Sequence, residues 1–178
     1  RLLAIESELG RVRTIHWGPR TLDLDLIFFG DEVINDPPKL RVPHPACWYR
    51  RFVLDPLTEI APQSGHPEKR ATVAELQRRL LVRPLAISIV GDSAEVAALI
   101  AAMQPQLPHA NLRSCCCTQD IPTHDEGLLV RLPMKKPLPL DLASLLPQLS
   151  KRTGWLDASN HATEQRQTLA DILSSVGL

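Results

Sequence analysis

Apolar residues recur along this chain in two rhythms, one suited to helices and one to strands. Leu2, Ile5 and Leu9 fall three and four apart, the spacing of one helical face, and Gly10 follows. A helix over 1–9 closed by a left-handed glycine is therefore predicted. Leu22, Leu24 and Leu26 alternate with Asp23 and Asp25 before the run turns fully apolar at Ile27, Phe28 and Phe29. That pattern predicts a strand entering a core. Gly30-Asp31 reads as a turn, and Val33-Ile34 and Leu40-Arg41-Val42 read as short strands separated by Asp36-Pro37-Pro38. A short helix over 52–60 should end before Pro62, and Thr72 with Glu75 should form a capping box ahead of Leu76, Leu80 and Leu81. Further on, Leu85 to Val90 predicts a strand, and Gly91-Asp92-Ser93 leads into a helix over 94–103 with Ser93 as N-cap. Strands at 111–117, 127–133 and 154–157 and helices at 141–150 and 162–176 complete a small mixed α/β unit.

The rhythm changes character near residue 83. Six of the seven aromatics lie before it, and Pro84 opens a new apolar run. We place a domain boundary there, between residues 1–83 and 84–178. The formal net charge is zero and neither half is strongly charged, which argues against a nucleic-acid footprint or a membrane-binding surface. No apolar run approaches the length of about 18 residues that a membrane helix needs. The first residues, from Arg1 to Glu8, resemble the middle of an amphipathic helix and not a signal peptide, so the chain is expected to be a fragment whose N-terminal part is absent. Three of the four cysteines are consecutive, Cys115 to Cys117, with no Cys-x-x-Cys pair, which suits a reduced, cytoplasmic protein. His109 and His124 flank them, but successive strand side chains diverge and cannot all face one zinc ion.

The chemistry concentrates between Gly10 and Asp25. On a strand, Asp23 and Asp25 would point to one face a few ångströms apart while their leucine neighbours point to the core. Such a pair alone reads more readily as a solvated stripe on an edge strand. Arg11, Arg13 and Arg20 stand just upstream around Trp17-Gly18-Pro19, and they change the picture. Two acids able to hold Mg²⁺ beside guanidinium groups able to clamp phosphate oxygens are what polyphosphate chemistry requires. No residue is an evident general base, and positioning with charge neutralisation suffices for such a reaction.

Taken in order, these segments resemble the 6-hydroxymethyl-7,8-dihydropterin pyrophosphokinases (HPPK). The resemblance runs through Ile5-Glu6, Gly10-Arg11-Val12-Arg13, Trp17-Gly18-Pro19-Arg20-Thr21-Leu22-Asp23-Leu24-Asp25, Leu40 to Pro45, Arg50 to Leu54 and Pro56 to Pro62. It covers about residues 1–80, roughly the C-terminal half of such an enzyme. It implies a partial ferredoxin-like α+β fold for these residues, and the second, small mixed α/β domain after them rests on the element pattern alone. It also implies transfer of pyrophosphate from ATP to the pterin hydroxymethyl group in folate biosynthesis. Asp23 and Asp25 would hold two Mg²⁺ ions. Arg11, Arg13 and Trp17 would lie on a closing loop with Arg20 at its hinge end. His44 and Arg50 would touch phosphates, Phe52 would stack on the pterin, and Arg41 and Leu26 would border the nucleotide. The family's upstream pocket walls are missing, so the fragment alone is expected to bind pterin poorly and turn over little.

Residues 84–178 are not explained by the resemblance. Gly91-Asp92-Ser93 lacks both the Gly-x-Gly-x-x-Gly and the Gly-Lys-Ser/Thr patterns of phosphate loops. This half is read as an accessory domain, for packing or homo-oligomerisation. The competing reading is a non-catalytic interaction or regulatory protein that keeps the kinase core shape. The intact acid pair and Arg11, Arg13, Arg20 and Arg50 argue against it.

Overall fold

A computed structural model describes residues 1–11, 22–122, 127–133, 138, 140–149, 154–159 and 165–178. Arg13, Trp17 and Arg20 fall outside these. The chain divides into two compact units, Arg1–Pro45 and Ala46–Leu178.

In the first unit, helix α1 spans Leu2–Glu8 and ends in a Schellman motif. Gly10 takes φ +82°, its N–H bonds the Ser7 carbonyl, and the Arg11 N–H bonds the Glu6 carbonyl at 2.9 Å. Strands β1 (Ile34–Asp36) and β2 (Leu40–Val42) form an antiparallel hairpin in which Asn35 faces Arg41. Residues 22–28 are not a strand, contrary to the alternation of their sequence. A strand exists only where a neighbour completes its ladder. Here the Leu24 N–H goes to the Glu6 carboxylate, and the Ile27 carbonyl takes the His44 N–H at 3.0 Å. The two-residue alternation survives in the burial: Asp23 and Asp25 are exposed, and Leu22, Leu24 and Leu26 are half-buried.

The second unit opens with helix α2 (Arg51–Ile60), a two-residue ribbon of β3 (Gly65–His66) and β4 (Ala71–Thr72), and helix α3 (Val73–Leu81). The Thr72–Glu75 capping box forms as its sequence predicts. Leu54, Val73, Leu76 and Leu80 make the buried seam, and Gln77 on α3 donates to Asp55 on α2 at 2.9 Å. Within the ribbon His66 is buried, and its Nδ1 accepts the N–H groups of Glu68 and Lys69. Burial pushes its pKa down from 6.5 to about 4. The unfolded chain therefore binds the proton more readily than the fold does between those values. Stability should be full above pH 6.5 and fall by about 3 kcal/mol as pH drops to about 4. Thermal melts of His66→Asn, which keeps a side-chain acceptor, should lose this slope; an unchanged slope would assign it to other groups.

The remainder is a four-stranded sheet, all parallel, in the order β6-β5-β7-β8. Its elements in chain order are β5 (Leu85–Val90), α4 (Ser93–Met103), β6 (Ala110–Cys115), β7 (Leu128–Arg131), α5 (Leu140–Leu149), β8 (Trp155–Asp157) and α6 (Gln165–Ser175). Central β5 is an almost continuous apolar run with Leu85, Ile87, Ile89 and Val90 fully buried, as a strand covered on both faces requires. Gly127 sits at φ +72° where any side chain would run into the Ala86 carbonyl, so the approach to β7 demands glycine.

Two local expectations are corrected. The N-cap of α4 is Asp92 and not Ser93, because the Asp92 carboxylate takes the N–H groups of Ala94 and Glu95 at 3.1 and 3.2 Å. Strand β6 stops at Cys115 and not at 117, because the Asp120 carboxylate captures the amides of Cys116 and Cys117 at 2.9 and 3.1 Å. The composition shift near residue 83 coincides with the start of β5, inside the second unit. The class is mixed helix and sheet throughout. Among the described residues no helix is long and apolar enough to cross a membrane.

Candidate functional site

The Schellman turn delivers Arg11 directly over the end of α1, where its guanidinium meets the Glu6 carboxylate. Both side chains are buried, at 6% and 2% exposure. The other Glu6 oxygen accepts the Leu24 N–H at 2.8 Å, and Arg11 Nη2 reaches Asp23 Oδ1 at 3.2 Å. Glu6 thus ties α1, the arginine and the acid-bearing segment together. A buried carboxylate is tolerated only when a cation and hydrogen bonds satisfy it, and Glu6 has both.

Arg11 and Asp23 are therefore brought together as their sequence suggested. Asp25 is exposed two residues further along. The segment is fixed again at Ile27 by the His44 amide, which sets half-buried His44 beside it. Leu26 is half-buried on the opposite rhythm, and Arg41 is exposed on β2.

Arg50 and Phe52 belong to the second unit, at the start of α2. Phe52 is 66% exposed, and the Arg50 guanidinium carbon lies 5.6 Å from its ring centre. Burial raises the Tyr49 hydroxyl pKa, and the neighbouring Arg50, which hydrogen-bonds it, acts in the opposite sense. Arg50 Nε is buried without a hydrogen-bond partner among the described residues. Cys47 packs behind this segment, its thiol pushed up to about 12 by burial and so inert as a nucleophile.

Could this set hold Mg²⁺? Among the described residues no three His, Cys, Asp or Glu side chains converge. Magnesium needs only one or two carboxylates, with phosphate and water oxygens completing its octahedron. Asp23 and Asp25, exposed on one rhythm with a guanidinium beside the first, fit that requirement.

Sequence reasoning singled out Asp23 and Arg11 but gave Glu6 no role. The signal was present: Glu6 lies four residues after Leu2 and three before Leu9, an acid on an otherwise apolar helical face. An acid there needs a buried partner, and the Schellman turn makes residue 11 the nearest candidate.

Comparison with known proteins gives a consistent picture. Residues 1–62 match the family model for 7,8-dihydro-6-hydroxymethylpterin-pyrophosphokinase (HPPK). A 2-amino-4-hydroxy-6-hydroxymethyldihydropteridine pyrophosphokinase of Synechocystis is 53% identical over 75 residues, 42% of this chain and 38% of that protein. The enzyme of the same name from Pseudomonas aeruginosa is 52% identical over 69 residues, covering 39% and 42%. That of Bacillus subtilis is 54% identical over 71 residues, covering 40% of each. The chain thus spans about two-fifths of the length of these curated relatives. By sequence it matches the HPPK family over its first 62 residues and continues beyond them as an extension.

Proposed function

We propose that this chain is part of an ATP-dependent pyrophosphokinase of folate biosynthesis. The hydroxymethyl oxygen of 6-hydroxymethyl-7,8-dihydropterin attacks the β-phosphorus of ATP, the bond to the α-phosphate oxygen breaks, and AMP leaves. The observation that supports it best is the Glu6–Arg11–Asp23 chain, which fixes the acid-bearing segment and places a guanidinium against the first acid.

In this reading Asp23 and Asp25 are the protein's ligands for two Mg²⁺ ions, which when bound neutralise charge on the triphosphate. Arg11 orients Asp23 through their 3.2 Å contact. His44 and Arg50 take phosphate oxygens, and the exposed ring of Phe52 stacks on the pterin. Arg41 and Leu26 border the nucleotide. Arg13, Trp17 and Arg20 keep the phosphate-clamping and loop-closing roles that the family resemblance gives them. The first 83 residues supply this machinery on a partial ferredoxin-like frame, residues 84–178 are an accessory domain, and the protein works in the cytoplasm.

The test is AMP formation from ATP and hydroxymethyldihydropterin by the natural protein, followed with and without Mg²⁺. Pterin-dependent AMP release that EDTA stops is the expected result. A protein that binds neither substrate in titration calorimetry would return the assignment to a non-catalytic interaction role.

A further inference from the structure

Arg50 and Phe52 sit at a helix start that is poorly held by its own sequence. The N-cap of α2 is Arg50 itself, which offers the free N–H groups of the first turn no side-chain acceptor. The four residues before it, 46–49, form turns and belong to no strand or helix. Such a segment frays unless something outside holds it.

Two attachments from the far end of the chain close on it from either side. Upstream, Lys69 Nζ lies 4.1 Å from the centre of the buried Trp48 ring and donates at 3.3 Å to the carbonyl of Trp155, the first residue of β8. One ammonium thus joins the residue two before Arg50 to the edge of the parallel sheet. Downstream, the turn after α6 lies close beside Arg51. Gly177 takes φ +77°, and a Cβ there would stand 2.9 Å from Arg51 Nη1 and 3.0 Å from its Cδ. The Gly177 carbonyl accepts from Arg83 Nη2 at 3.4 Å. Arg51 is itself locked to Asp55 at 2.7 and 3.3 Å, and Asp55 takes Gln77 of α3. All of these residues lie in the second unit.

We infer that the C-terminal parallel sheet braces the 48–52 segment, with Lys69 as the positioning residue that links Trp48 to Trp155. The role rests on the proposed pyrophosphokinase reading, because Arg50 and Phe52 are the substrate-facing groups so positioned. The geometry of the brace does not depend on that reading. The extension is then part of what shapes the site.

Lys69→Met keeps the length of the side chain and removes its charge and donors, and Lys69→Arg retains a cation and donors. Two readouts are compared. The first is amide exchange at Val53 and Leu54, whose N–H groups bond the Arg50 carbonyl. These should exchange about tenfold faster in Lys69→Met, recover in Lys69→Arg, and leave Ile87 in β5 unchanged. The second is kinetics of the natural protein: Lys69→Met should raise the pterin KM about tenfold with kcat altered by less than about twofold. Equal acceleration at Ile87 would make Lys69 a general stabiliser and overturn the brace, as would unchanged exchange at Val53 and Leu54. If the unaltered protein forms no AMP, the enzymatic reading fails and the exchange data alone decide the brace. If it is active and KM does not move, the positioning role fails and the enzymatic reading stands.

Discussion

Asp25→Ala should cut pterin-dependent AMP release from ATP by about 10²–10³-fold or more, to background in most assays. Asp25 is exposed, while the leucines of its segment are half-buried. Removing its carboxylate should therefore leave the fold within about 0.5 kcal/mol of the parent. That separation of stability from activity makes it the cleaner of the two acids to test. Asp23→Ala also frees Arg11 from its 3.2 Å contact, so its effect mixes metal binding with guanidinium placement. Undiminished AMP release by a folded Asp25→Ala protein would remove the metal assignment.

Glu6→Ala should be the most damaging change away from the reacting groups. It leaves the buried Arg11 guanidinium without its counter-charge and the Leu24 amide without its acceptor. Breaking one side of a buried ion pair typically costs about 3–5 kcal/mol. Urea unfolding should show a loss in that range, and amide exchange should show earliest opening at Arg11 and Leu24. Glu6→Gln retains an oxygen for the Leu24 N–H and should lose less stability, yet it still unbalances Arg11 and, through it, Asp23. With Asp23 a Mg²⁺ ligand as proposed, activity of Glu6→Gln should then fall by about 10–100-fold, the usual effect of altering a group that orients such a ligand. A Glu6→Gln protein with parental activity would show that Asp23 does not depend on this chain of contacts.

These two expectations have different origins in the sequence. The expectation for Asp25 comes from a two-residue rhythm and the arginines upstream of it. Glu6 was assigned no role, because its partners are the residue five positions on and an amide eighteen positions on, joined only after the Schellman turn folds back. The α4 cap was misplaced by one residue for a related reason. Ser93 and Asp92 both cap helices well, and the geometry of the chain leaving β5 made the choice. The strand assigned to 22–29 kept its alternation of burial but found no ladder among the described residues. Alternation reports which side of a segment is wet, and does not report whether a neighbour is present.

The amino-acid sequence alone determined the elements whose causes are local: the helix closed by Gly10, the Thr72–Glu75 capping box, the apolar run of β5 and the acid pair with its neighbouring arginines. Their governing contacts lie within a few residues, so spacing and side-chain chemistry suffice. Only the tertiary structure decided the strand order β6-β5-β7-β8, the burial of Glu6 against Arg11, and the grip of Lys69 on both Trp48 and Trp155. The last of these joins residues up to 86 positions apart. Such contacts are chosen by which surfaces meet when the chain condenses, and no local pattern encodes that choice.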